Sequence, residues 1–173
     1  TRAFADRLDK SCAIRVAEAA GGEQLEPGTA YLAPGDRHLV VHQHGIKLMT
    51  GLHNGPPLHH QRPAVDQLFL SPAKLRRLPI VAALLTGMGA DGAVGLLALR
   101  QAGAETIAED EQSCVVFGMP KEAIARGAAK QVGGFEDSFP GVFEDQVSHS
   151  RIGLRHPVLV TDDATARYRQ HEA

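Results

Sequence analysis

The chain contains no tryptophan, two cysteines and only 5% aromatic residues. Two cysteines, Cys12 and Cys114, make neither a disulfide framework nor a zinc ligand set. They fit a reducing cytoplasmic compartment. Long hydrophobic runs are also missing. None approaches the ~18 residues of a membrane span, so no membrane insertion is expected. No charge sign is in excess: 18 Lys and Arg against 20 Asp and Glu give a formal charge of −2. That balance argues against a broad nucleic-acid or anionic-membrane footprint. The first residue is Thr1 rather than Met, and no signal-peptide pattern follows. The numbering is therefore expected to start inside a longer protein. What is present is 173 residues at 43% apolar, enough for one domain with a real core and a tail, and too apolar for a disordered chain.

The hydrophobic pattern divides the chain into short elements. Ala3 to Ser11 reads as an amphipathic helix with Phe4 and Leu8 on one face. Cys12 to Ala17 alternates like a strand, and Gly21-Gly22 and Pro27-Gly28 break the chain after it. Three apolar runs follow, Thr29 to Leu32, His38 to His42 and Ile46 to Met49, whose close spacing suggests a meander or hairpins. Gly51 to Pro63 reads as loop and Ala64 to Arg77 as helix, with Pro72 ending or kinking it. Pro79 to Leu85 is a compact apolar run of the kind buried on both faces of a parallel sheet. A helix from Ala93 to Gln101, a strand from Thr106 to Ala108 and a helix from Lys121 to Arg126 complete the pattern. Strand, helix, strand, helix predicts a doubly wound α/β fold with a mostly parallel sheet and an antiparallel hairpin. After Val132 the periodicity weakens. Residues 1–132 read as one domain and 133–173 as a divergent tail or linker, with a second apolar run from His156 to Thr161.

The segment richest in chemistry is Gly87-Met88-Gly89-Ala90-Asp91-Gly92, a G-x-G-x-x-G stretch between a predicted strand and a predicted helix. Asp110 lies roughly 20 residues on, where a dinucleotide fold places its ribose acid. Asp91 argues against that reading, because a carboxylate at a helix start competes with pyrophosphate for the same N–H groups. Three roles for Asp91 stay open on the letters alone: a helix N-cap, part of a nicotinamide-cofactor loop, or a catalytic acid at the carboxyl end of a parallel strand.

A resemblance narrows the choice. Leu84 to Ala93 and Ala108 to Ile124 resemble blocks of the chemotaxis protein-glutamate methylesterase (CheB-type) catalytic domain. Tyr31-Leu32-Ala33-Pro34-Gly35-Asp36-Arg37-His38 and Arg62-Pro63-Ala64-Val65-Asp66-Gln67-Leu68-Phe69 fit the same family in the same order. The resemblance covers roughly residues 1–132. It implies a serine hydrolase with a Ser, His and Asp triad, acting without cofactor or metal on methyl-accepting chemotaxis receptors, with a receiver domain elsewhere in the parent protein. It places the triad aspartate at Asp91, which would accept Nδ1–H of the catalytic His. It sets Met88 beside the site, where its backbone would polarise the ester carbonyl. Arg62 and Asp66 fall in a block beside the active-site face and are substrate-side candidates. The family's nucleophile turn and its Gln-His-Met-Pro-like segment do not occur in this chain, so the domain is expected to be truncated at its N-terminus and inactive alone. Ala64 stands where the family often has Ser. Two other classes remain, a non-catalytic receptor- or kinase-binding module of the same fold and an NAD-binding oxidoreductase.

Other candidates carry weaker signals. Pro157 to Asp163 resembles the first strand and acidic pair of a phospho-acceptor domain, a pair that would hold Mg²⁺; a short apolar run ending in a turn explains it as well. His42 and His44 alternate on a strand and could pair on a metal, while polar positions of a hairpin account for them equally. His59-His60 has no third ligand at a recognisable spacing. Ser71 and Ser113 lie outside the nucleophile's block. Cys114 reads as a small core residue, and Lys74, Arg76 and Arg77 as a solvated helix end that would meet acidic receptor helices.

Overall fold

The computed structural model describes residues 1–75 and 78–133, and the backbone of 158–160. Helix α1 (Arg2–Ser11) packs Phe4, Ala5 and Leu8 onto strands β1 (Arg15–Glu18) and β2 (Thr29–Leu32). The strand read from Cys12 begins later because the Cys12 N–H still bonds to Leu8 O, 2.8 Å away, closing the helix. β1 and β2 run parallel. Strand β8 (Val158–Val160) adds to the free side of β2, also in parallel. The tail's apolar run therefore contributes a strand here, while its acidic pair, Asp162 and Asp163, lies outside the described residues.

Of the three closely spaced apolar runs, two form the expected hairpin: β3 (His38–His44) and β4 (Lys47–His53), antiparallel around Gly45 at φ 61°. The first run is not part of a meander, because β2 is occupied by β1 and β8. Gly51 to His53, read as loop, belong to β4. Helix α2 (Val65–Ala73) follows and carries Pro72 in its last turn, where the missing N–H leaves the Leu68 carbonyl to accept the Ser71 hydroxyl at 2.8 Å. It is shorter than its reading, and Arg76 and Arg77 lie outside the described residues.

Among the described residues, the pairing in the second half is parallel. Strands β5 (Val81–Leu84), β6 (Glu105–Glu109) and β7 (Gln131–Gly133) pair in chain order, with α3 (Ala93–Gln101) and α4 (Met119–Ala125) as crossovers. Gly103 and Gly127, at φ 97° and 65°, end the two helices in the left-handed conformation that closes a helix C-terminus. β5 does not have two buried faces. Ala82 and Leu84 face the α3 and α4 core, but Val81 is 48% exposed and Ala83 is also exposed. The run looked continuous because small Ala residues stand at both kinds of position. The chain is thus an α/β fold with mostly parallel pairing and an antiparallel pair; its described residues form two parallel three-stranded sheets and the hairpin. No described helix is long and apolar enough to cross a membrane.

Helix α2 joins the halves. Leu68 packs against Leu39 and Val41 of the hairpin, while Val65 packs with Leu84 and Leu96 of the second sheet. Its contact with α3 is close because of Gly95, where an added Cβ would lie 2.6 Å from Phe69 Cβ. G95A is expected to wedge α2 from α3 and cost about 1–3 kcal/mol, read as a lower midpoint in urea unfolding with little change in slope.

Candidate active site

Parallel α/β sheets place their functional groups beyond the carboxyl ends of their strands. Here β5 runs into Thr86-Gly87-Met88-Gly89-Ala90-Asp91-Gly92 before α3 begins. Two of the three glycines of this loop serve packing, and the third, Gly89, holds φ at 93° in open space. A Cβ on Gly87 would sit 2.2 Å from Met119 Sδ, and one on Gly92 2.7 Å from both Leu84 Cδ1 and Val65 Cγ1. Gly92 also holds φ at 82°. The Gly87 carbonyl accepts the N–H groups of Gly118 and Met119 at 3.0 and 2.8 Å, which ties the loop to the start of α4. Thr86 donates its N–H to Glu109, and its hydroxyl oxygen accepts the Val116 N–H at 2.8 Å. The loop is thus fixed from both sides.

Asp91 is 2% exposed. It does not cap α3, the helix it precedes, whose N-cap is Gly92 with no side-chain bond. Its carboxylate instead caps α2. Oδ2 accepts the Val65 N–H at 2.7 Å and Oδ1 accepts the Asp66 N–H at 2.9 Å. The sequence explains why a distant group is needed. Residue 64, the N-cap of α2, is alanine and offers no oxygen. The Ala64 N–H is itself taken by His38 Nδ1 at 3.2 Å, while His38 Nε2 meets Pro56 O at 3.0 Å. Three consecutive N–H groups at the positive end of α2 are therefore satisfied by tertiary partners. A carboxylate has roughly four acceptor positions, so the two backbone bonds leave Asp91 able to accept again.

Next to Asp91 lies a second buried carboxylate. Asp66 is 3% exposed, accepts the Gly95 N–H at 2.7 Å through Oδ1, and bonds His59 Nε2 at 2.9 Å through Oδ2. Burial pushes the Asp91 carboxyl above the usual range. The two backbone N–H groups oppose that, the Asp66 charge adds to it, and His59 opposes it. His59, Asp66 and Asp91 bring ligand-type atoms within 4.8 Å of one another. His59 therefore does have neighbours of metal-ligating type, which the sequence spacing did not disclose. His42 and His44 lie exposed on β3 and join no such group among the described residues.

His59 reaches this position from a tight turn. Leu58 and Gln61 exchange N–H···O bonds of 3.0 and 2.7 Å, leaving His59 and His60 as the two central residues at φ 50° and 63°. Such turns normally use Asn-Gly. Non-glycine residues held there cost of order 1–3 kcal/mol each and persist where the surroundings enforce them. Arg62 supplies part of that enforcement. Its guanidinium donates to Asp36 Oδ1 through Nε and Nη2 at 3.0 and 2.5 Å, and to the Gly55 carbonyl through Nη1 at 3.0 Å.

Met88 projects into solvent at 69% exposure from the loop before Asp91. Asp66 lies beside Asp91 and bonds His59 and Gly95, whereas Arg62 engages Asp36 and the Gly55 carbonyl and makes no bond to the Asp91 cluster. Asp110 forms a local turn, accepting Ser113 N–H at 2.9 Å and its hydroxyl at 3.0 Å. The Cys114 thiol is pushed up to about 12 by burial and by Glu109 and Asp110, so it carries no thiolate at neutral pH. Ser71 is bound into the fold between Val41 N–H and Leu68 O. A groove of about 640 Å³ between β3 and α2, lined by His42, His53 and Lys74 among others, shares no lining residue with the Asp91 cluster.

D91A leaves the Val65 and Asp66 N–H groups buried without partners. At roughly 1–3 kcal/mol for each orphaned donor, a large drop in thermal midpoint is expected. D91N keeps one acceptor and should lose less.

Comparison with known proteins places these features in a family. The sequence model described as CheB methylesterase matches residues 1–138. A protein-glutamate methylesterase/protein-glutamine glutaminase of Thiobacillus denitrificans is 50% identical over 155 residues, which is 90% of this chain and 44% of that protein. Its counterpart in Escherichia coli K12 is 54% identical over 132 residues, 76% of this chain and 38% of that protein. The chain thus spans less than half the length of these relatives. The crystal structure of the Thermotoga maritima CheB methylesterase catalytic domain superposes with a TM-score of 0.74 at 40% identity, covering 78% of this chain and 71% of that one. With the family's ordered blocks folded into one α/β frame and its glycine loop set at the end of β5, the chain belongs to the CheB methylesterase family.

Proposed function

We propose that this chain is part of a protein-glutamate methylesterase, a carboxylic ester hydrolase that removes methyl groups from glutamate side chains of chemotaxis receptors and deamidates receptor glutamines. Its relatives carry both activities in their names. The observation that carries the reading is the fixed, buried Asp91 carboxylate at the carboxyl end of β5, on the loop that matches the family.

In this reading the triad Ser and His come from a segment of the parent protein that is not in this chain. Ser Oγ attacks the ester carbonyl carbon and the His takes its proton. The same imidazolium then protonates the departing methoxide, and methanol leaves. Water attacks the acyl-enzyme with the His again acting as base, which frees the glutamate and restores the Ser. Asp91 accepts Nδ1–H of that His, holds its tautomer and stabilises the imidazolium. Rigid capping of α2 suits Asp91 to this work, because an orienting group must not move when the imidazole charges. The Met88 backbone lies on the same loop and would help polarise the carbonyl. Arg62 and Asp66 support the site from beneath. Residues 1–132 carry the catalytic part, and the divergent sequence after them contributes β8 beside β2. The parent is a cytoplasmic signalling enzyme of the chemotaxis phosphorelay, with a receiver domain governing access to receptor.

The experiment is methanol release from methylated receptor by a longer protein that contains this chain. D91N is expected to lower kcat by about 10⁴-fold, as for other triads, with KM little changed. The 173-residue chain alone is expected to release no methanol. Full activity in D91N would remove Asp91 from the mechanism.

A further inference from the structure

Two buried carboxylates lying side by side cannot both ionise cheaply. Asp91 has two backbone donors and Asp66 has one, all from α2 and α3. Backbone dipoles carry no net charge, so they do not neutralise the pair. Among the described residues, the cation-forming side chain in contact with it is His59, whose Nε2 lies 2.9 Å from Asp66 Oδ2. Its side chain is 39% exposed against 5% for Asp66, so one edge of the ring meets solvent while Nε2 holds a buried acceptor. The other groups around α2's first turn are accounted for. His38 of β3 is taken up by the Ala64 N–H and the Pro56 carbonyl, and Asp66 is the acid that faces Asp91 from α2. His59 sits in a two-residue turn whose backbone favours glycine, and Arg62 braces the segment from below.

We propose that His59 is a positioning residue for Asp91: bonded to Asp66, its imidazolium supplies the counter-charge that the Asp66–Asp91 pair needs. This rests on the reading of Asp91 as the orienting acid, since only an ionised carboxylate stabilises a catalytic imidazolium. The action passes through charge, not through contact with substrate. Burial and Asp66 both favour the protonated Asp91, and His59 is the side chain that opposes them. The role is absent from the family's triad and belongs to the turn at residues 58–61.

The test is the pH titration of the Asp91 carboxyl carbon by NMR in the full 173-residue chain, which requires no esterase activity. H59Q keeps a hydrogen-bond donor but no charge, and is expected to raise the Asp91 midpoint by about one pH unit. H59K restores a cation and should bring the midpoint back toward wild type even where H59Q folds poorly. H60G eases the turn without touching the imidazole and should leave the midpoint unchanged. An unmoved midpoint in H59Q, a failure of H59K to reverse the shift, or an equal shift in H60G would overturn the proposal. Because the readout is a titration, it stands apart from the methanol assay: an active D91N would defeat the esterase role while this coupling could still hold.

Discussion

The bidentate grip of the Asp91 carboxylate on the first N–H groups of α2 is the interaction on which this arrangement depends. α2 spans the two halves of the molecule, touching the β3–β4 hairpin through Leu68 and the β5–β6–β7 sheet through Val65. Its N-terminus has no local cap, because Ala64 offers no oxygen. A charged acceptor from another loop supplies what the helix lacks, and the positive end of the helix in turn helps keep that acceptor charged. In the proposed reading, structural need and chemical use coincide in one side chain. An aspartate that must stay in place to cap a helix is also one that can orient a neighbouring imidazole without drifting.

The surroundings follow from that bond. Gly92 has no side chain because a Cβ would strike Leu84 and Val65, and Gly95 has none because α3 lies against Phe69 and Asp66. Asp66 is the next residue along α2 and becomes buried with it. Burying two acids together raises the electrostatic cost of both, and the fold answers with backbone donors and with His59. The tight turn at 58–61 and the Arg62 bonds to Asp36 and Gly55 read as the scaffolding of that answer.

Membership of the CheB methylesterase family gives the glycine loop a meaning different from its letters. The spacing G-x-G-x-x-G also describes dinucleotide sites, where glycines let a pyrophosphate approach backbone. In this fold Gly87 and Gly92 make room for Met119, Leu84 and Val65 instead. The helix N-terminus nearest the carboxylate is that of α2, so Asp91 competes for no phosphate position on α3.

Local pattern carried far in the sequence. The α/β class, the hairpin, α3 and the position of the glycine loop were all legible, since each depends on periodicity and turn residues a few positions apart. Four blocks in the right order drew attention to Asp91, but they did not show the helix that its carboxylate caps. Strand pairing was less so: β2 read as part of a meander because spacing alone does not say which edge a strand will join. The exposed face of β5 was hidden because apolar residues stand at its exposed positions, Val81 and Ala83, as well as its buried ones. What the tertiary structure alone decided is the site's wiring. No window of sequence shows that Asp91 caps a helix beginning 26 residues earlier, or that His59 comes to rest on Asp66 beside it. Those contacts arise when separate segments converge on one helix terminus, and unpaired buried N–H groups and charges select their partners in space rather than along the chain.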